Sequence, residues 1–316
     1  MKSLQNKLRE CTLHECPLYE GFYKNAGGMA RPSTKDELKN EIRIRLDRNQ
    51  YNFNDIDTSK IDDMSFLFSD SDMYYKIHDK DFDVSGWDTS NVTNMNSLFQ
   101  GCVRFNCDIS KWNVGKVRYM SRMFQGCLSF NRDLSKWDTG KVEQMSRMFQ
   151  ECSSFNRDLS KWNTGKVEHM SRMFQECSSF NRDLSKWNVS NVEDMSGMFR
   201  ECENFNSDLS KWNVSKVRDM SSMFRKCTKF NSDLSKWNTS KVKYMTSMFD
   251  ECENFNSDLS KWNVRNVIGI YGMFTWCIKF DCNLDDWDLS AFYSQPLKFD
   301  LIFDNSGMSR KPKWSV

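Results

Sequence analysis

Tryptophan recurs at positions 87, 112, 137, 162, 187, 212, 237, 262 and 287, an interval of 25 residues that never slips. Phenylalanine keeps the same interval from Phe99 to Phe274 and again from Phe105 to Phe280, and cysteine keeps it from Cys102 to Cys277. A globular core gives no reason for such a clock, whereas a stack of equal coils requires one, because each unit buries its apolar face only against a neighbour. Eight full units therefore run over residues 87–286. Residues 56–86 read as a degenerate first unit, with an insertion near Ser69 to Lys80 that makes the Phe68-to-Phe99 offset 31 rather than 25. The expected organisation is an N-terminal segment and capping helix over 1–55, a repeat solenoid over 56–288, and a C-terminal cap with a basic tail over 289–316.

Within one unit, Val117, Met120, Met123, Phe124 and Cys127 share one face at helical spacing, which predicts a short helix. A coil of turns with a 3₁₀ segment satisfies nearly the same spacing. A strand of a few residues is expected around Asp108 to Lys111. The Asn column (106, 131, 156 and onward) is expected to bond turn backbone between coils. The Asp column (108, 133, 158 and onward) is expected to cap its own turn or to meet the Lys column three residues on. The residues from Pro32 to Leu38 read as a helix entry, with the helix running to about Arg45. Phe292, Tyr293, Leu297, Phe299, Ile302 and Phe303 can cover the last coil, and the tail from Ser309 to Trp314 is expected to fray.

Met198, Phe199, Cys202, Phe205, Asn206, Asp208, Leu209, Ser210, Trp212, Asn213, Val214, Ser215, Val217 and Met220 form a motif that resembles the BspA-like leucine-rich-repeat surface proteins. The resemblance spans roughly residues 32–290. It implies a right-handed, leucine-rich-repeat-like solenoid of short parallel strands and short helices, a role in adhesion or protein binding, and no catalytic residues. Members occur on bacterial and mycoplasma surfaces and are encoded by large DNA viruses; a structural subunit of a virion or surface assembly is a second expectation.

Net charge narrows the partner. With 45 basic and 43 acidic residues the chain carries +2, without the basic excess of a dedicated nucleic-acid protein. No stretch approaches the roughly 20 apolar residues that span a bilayer. The opening residues Met1 to Glu10 lack the apolar run of a secretory signal, which favours a cytoplasmic or virion-associated chain over a secreted one. A protein partner or a multi-protein assembly is the expectation, with neither nucleic acid nor membrane insertion.

Twelve cysteines raise disulfide, metal and thiol chemistry. Eight of them sit at the core period and read as a buried, reduced ladder of small apolar side chains, which suits a reducing compartment. Cys11, His14 and Cys16 lack a fourth ligand at zinc spacing and read as an ordinary terminal segment. His169 falls at a variable repeat position, and no Ser-His-Asp, Cys-His or phosphate-loop constellation emerges. No cofactor and no enzymatic activity are expected.

Function then belongs where the repeats disagree. Arg132, Arg157 and Arg182 form a basic row beside the expected strand and are the preferred contact patch. Arg122, Arg147 and Arg172 form a second row. There, Glu143 with Arg147 and Glu168 with Arg172 would make i,i+4 pairs on a solvated helix face. The lysines from Lys111 to Lys261 add a stripe that the Asp column can neutralise.

Overall fold

The computed structural model describes residues 29–69, 71–292 and 301–315. The repeats stack as a solenoid, and isolated parallel bridges climb one side of it. They join Asp63 to Asn94, Asn94 to Tyr119, Tyr119 to Gln144, Gln144 to His169 and so on to Gly269. The 25-residue clock is thus a vertical register, in which residue i lies beside residue i+25.

The hydrophobic spacing from Val117 to Cys127 is met by a chain of tight turns, not by a helix. Met123 N–H donates to Met120 C=O (3.2 Å), Gln125 to Arg122 (3.1 Å) and Cys127 to Phe124 (2.9 Å). The intervening donors leave the coil. Met120 bonds Gln144 C=O (3.0 Å), Arg122 bonds Ser146 (2.9 Å), Phe124 bonds Met148 (2.9 Å) and Gly126 bonds Gln150 (2.8 Å). Left-handed backbone at Arg122 (φ 59°) and Gly126 (φ 75°) interrupts any helical run and turns alternate N–H groups toward the next coil. Three-residue turns bring every third side chain inward, which explains why the sequence pattern mimicked a helix. The strand expected around Asp108 to Lys111 is a turn, and the bridge column lies at Tyr119 and its equivalents.

Aromatic side chains line up inside the coil. Trp162 and Trp187 stack with centroids 6.3 Å apart and planes 1° from parallel, and Phe149 and Phe174 lie 5.6 Å apart at 7°. The tryptophans of the 25-residue column are 3–4% exposed, so nearly the whole indole is buried. Burial would strand the indole N–H, and from Trp112 to Trp287 each column indole donates to a carbonyl 28 residues earlier, as in Trp187 to Leu159 (2.9 Å) and Trp162 to Leu134 (3.0 Å). The Asn column acts as expected, with Asn131 N–H donating to Asn106 Oδ1 (3.1 Å) and Asn156 N–H to Asn131 Oδ1 (3.1 Å). The Asp column caps its own turn: Asp158 Oδ1 accepts from Ser160 N–H at 2.8 Å.

Both ends depart from the repeat. Helix α1 (Lys35–Asp47) begins at Thr34, whose side chain accepts from Glu37 N–H, and it buries Leu38, Ile42 and Leu46 against the first coil. Helix α2 (Ser71–Ile77) fills the insertion. Tyr74 from α2 lies over Gly101, where a Cβ would meet Tyr74 Cε2 at 2.6 Å. At the other end, the tail is docked rather than frayed. Phe303 stacks on Phe274 (5.6 Å, 2°) and Trp314 on Trp287 (6.3 Å, 4°), so both aromatic columns gain one more member. Asp281 accepts from Ser309 N–H at 2.9 Å, and Asp285 accepts from Lys313 N–H at 2.9 Å. The reason is core matching: Trp314 supplies the indole that the last coil lacks. Phe292 is buried, whereas Tyr293, Leu297 and Phe299 lie outside the described residues.

Candidate partner-binding face

Each coil has a constant half and a variable half. From Asp108 to Val117 the same string returns with small changes at residues 133–142, 158–167, 183–192, 208–217, 233–242 and 258–267. The bridge-bearing half differs from coil to coil. The bridge column itself reads Asn94, Tyr119, Gln144, His169, Asp194, Asp219, Tyr244 and Gly269. Backbone bonds build this face, so its outward side chains are free to vary without altering the register.

The column three residues beyond the bridges reads Phe66, Ser97, Arg122, Arg147, Arg172, Gly197, Ser222, Ser247 and Gly272, and every member is left-handed, with φ between 52° and 60°. Three successive arginines thus project from equivalent points of three successive coils. Arg122 and Arg147 border an open groove of ≈ 410 Å³, lined also by Phe66, Ser121, Ser146, Ser171, His169 and Asp194, and Arg172 continues their column on the next coil. Burial, then the neighbouring charges of Arg172 and Arg122, holds the Arg147 guanidinium below its ordinary value. The stem of Arg172 lies over Gly197, where a Cβ would stand 3.1 Å from Arg172 Cγ.

Neighbouring charges on this face find partners. Glu143 takes a two-pronged bond from Arg118 of the preceding coil, both contacts 2.9 Å. Glu151 accepts from Gln150 (3.0 Å), Glu176 from Gln175 (2.8 Å) and Glu201 from Arg200 (3.0 Å). The expected Glu143–Arg147 pair does not form, because without a helix residues four apart do not face each other. Among the described residues, no carboxylate pairs with Arg122, Arg147 or Arg172.

The other arginine row occupies a different place from the one expected. Arg132, Arg157 and Arg182 are exposed, but they lie away from the bridges, and each Nε holds the preceding coil: Arg157 to Asn131 C=O (2.9 Å), Arg182 to Asn156 C=O (2.9 Å). Their charges also help keep Asp108, Asp133 and Asp158 ionised, after the hydrogen bonds from Ser110, Ser135 and Ser160. This row fastens coil to coil. Nothing in the spacing could separate the two rows; only the direction of the chain at each column does.

The cysteine ladder is internal. Cys152, Cys177 and Cys202 are fully buried, and each thiol donates to a phenylalanine carbonyl 28 residues back, as in Cys177 to Phe149 (2.9 Å). Burial pushes these thiols far above their ordinary value, which keeps them neutral. Cys107, part-buried beside Asp83, is pushed up to about 12, chiefly by burial. Cys11, His14 and Cys16 lie outside the described residues. No group of three or more His, Cys, Asp or Glu side chains is arranged to hold a metal among the described residues, and none of their helices is long and apolar enough to cross a membrane.

A 25-residue solenoid with an aromatic interior, a constant half and a variable face is the class of protein these features define. The sequence matches the family described as "Mycoplasma protein of unknown function, DUF285" over residues 40–151, 69–187, 131–224 and 200–302. The chain belongs to this family. No curated protein matches it.

Proposed function

We propose that the chain is a non-catalytic interaction protein that holds a protein partner on its bridge-bearing face. One observation carries this reading: coil-to-coil variation concentrates on that face, while the opposite half repeats nearly unchanged. Stacked repeats separate the residues that hold the scaffold from those that meet a ligand, and extended surfaces of this kind are what solenoids use for binding. The arginines, without a carboxylate partner among the described residues, add to it, since a row of like charges contributes nothing to stability and gains from a partner's carboxylates. The neutral, enclosed thiols support a structural use of cysteine over a nucleophilic one.

Kinship with BspA-like leucine-rich repeats belongs to the same reading. The motif over 198–220 supports it, as does the column of parallel bridges on one side of the coil; right-handed winding is part of it. A second reading, a structural subunit of a virion or surface assembly, draws on the C-terminal end. There Trp276, Ile278 and Leu301 are 52%, 53% and 51% exposed.

Crosslinking mass spectrometry in the native source tests both. Links from Lys226 and Lys243 to a discrete protein favour the interaction reading. Co-sedimentation with a particle and links from the C-terminal coil favour the structural one. Links confined to the lysines of the constant half, such as Lys161 and Lys186, would overturn the assignment of the binding face.

A further inference from the structure

We infer that the lane of Arg122, Arg147 and Arg172 receives an extended acidic peptide segment of the partner, lying along the stack with an apolar side chain against Phe66. The inference rests on the interaction reading above and specifies its occupant.

Charge points to carboxylates. Among the described residues, three guanidiniums stand on consecutive coils with no acidic partner, and Ser121, Ser146 and Ser171 line the groove with a hydroxyl per coil. Arginine presents a planar fork that matches a carboxylate with two parallel hydrogen bonds. Coils joined by parallel bridges rise about 4.8 Å each, so the three arginine positions span about 10 Å. In an extended peptide, side chains on one face recur about every 7 Å. Two acidic residues at alternate positions therefore meet three flexible guanidiniums.

The lane's ends set its length. Beyond Arg172 the column turns to Gly197, with Asp194 on the wall; before Arg122 it turns to Ser97 and then to Phe66, which is 50% exposed. Glutamates rail the lane on both sides, at Glu143, Glu168 and Glu193 and at Glu151, Glu176 and Glu201. Arginine occupies this column on three coils only, so a long phosphate or sulfate polymer would outrun the positive charge at both ends. A short acidic stretch flanked by an apolar residue matches that length, with Phe66 toward one end.

Fluorescence polarisation with short labelled peptides tests this. One pair carries glutamates at alternate positions and a phenylalanine at either end; a control pair replaces glutamate with glutamine. Saturable binding of a glutamate peptide is expected, at least tenfold tighter than its glutamine control. Arg147→Gln should weaken it about tenfold and Phe66→Ser several-fold, with Arg157→Gln leaving it within twofold. Thermal melts of each variant show that the fold is intact. Equal binding of glutamate and glutamine peptides would overturn the inference, as would unchanged binding to the triple variant Arg122→Gln, Arg147→Gln, Arg172→Gln. So would tighter binding of polyphosphate than of the glutamate peptides at the same arginines. If the crosslinks still reach a protein on the bridge-bearing face, such a failure removes the acidic occupant and leaves the interaction reading in place.

Discussion

The constant half of each coil and its bridge-bearing half are held together by different means, and the contrast explains which positions are free to evolve. In the constant half, side chains make the bonds: an aspartate caps the turn, an asparagine reaches the next coil, and an indole N–H reaches back to a leucine carbonyl. A change there that deletes the bonding group removes a bond. On the bridge-bearing half the main chain makes most of the bonds between coils, as at Glu143, Met145, Arg147, Phe149 and Glu151 N–H, so most outward side chains are left over. Register on that half survives substitution, which is where a binding surface can be written.

The widest separation between the halves should come from the shared interior. Trp187→Ala deletes a buried indole, its stack on Trp162, its tilted contact with Phe174 and the bond to Leu159. A cost of about 3–5 kcal/mol is expected. Because each coil is stabilised by its neighbours, melting should separate into two transitions, one for each side of the break. Differential scanning calorimetry checks this, and a single unshifted transition would contradict the tryptophan's place in the core.

Cys177→Ala is a smaller cut. The alanine loses the thiol contact to Phe149 C=O, but that carbonyl keeps its bond from Cys152 N–H, so no acceptor is stranded. About 1–2 kcal/mol is expected from chemical denaturation. Native thiol labelling of the wild type should stay slow at every ladder position, since burial holds these thiols neutral.

How much of this was legible in the sequence follows the same division. The tryptophan, phenylalanine and cysteine columns gave the stack, its ends and its interior, because burial leaves a periodic mark on residue type. Thr34 and Glu37 marked the start of α1. The turn chain from Val117 to Cys127 was not separable from a helix, since both bring every third or fourth residue inward. Only left-handed backbone at non-glycine positions such as Arg147 and Glu151 distinguishes them, and residue type does not report it. For the same reason Arg157 and Arg147 looked alike, although one fastens a carbonyl and the other faces a groove. Trp314 could have been recognised as another member of the tryptophan column, but its offset of 27 from Trp287 conceals the match.

Acid sharpens the view of the constant half. Hydrogen bonds from Ser135, Ser160 and Ser185 hold Asp133, Asp158 and Asp183 below the usual carboxylate range. A carboxylate more acidic in the folded than in the unfolded chain stabilises fully above the unfolded value, about 4, and that contribution fades as pH falls through the folded value. Asparagine makes the same turn without a charge, as Asn163 does with Gly165 N–H at 3.1 Å. Replacing the three aspartates with asparagine should therefore lower the melting temperature slightly at pH 7. The drop between pH 7 and pH 3 should shrink. An unchanged pH dependence would mean that other carboxylates carry the acid sensitivity.

The smallest effect should fall on the bridge-bearing face. Arg147→Gln keeps the backbone bonds from Arg147 N–H to Ser171 C=O and from Gln150 N–H to Arg147 C=O, which do not depend on the side chain. It removes a half-buried charge set between two like charges. Stability should change by no more than about 0.5 kcal/mol, with a slight gain at low salt as repulsion within the row is relieved. Arg157→Gln, made in parallel, gives up the bond to Asn131 C=O and should lose more. If the two variants melt alike at low salt, the division between a fastening row and an outward-facing row fails, and with it the reason for assigning the groove to a partner.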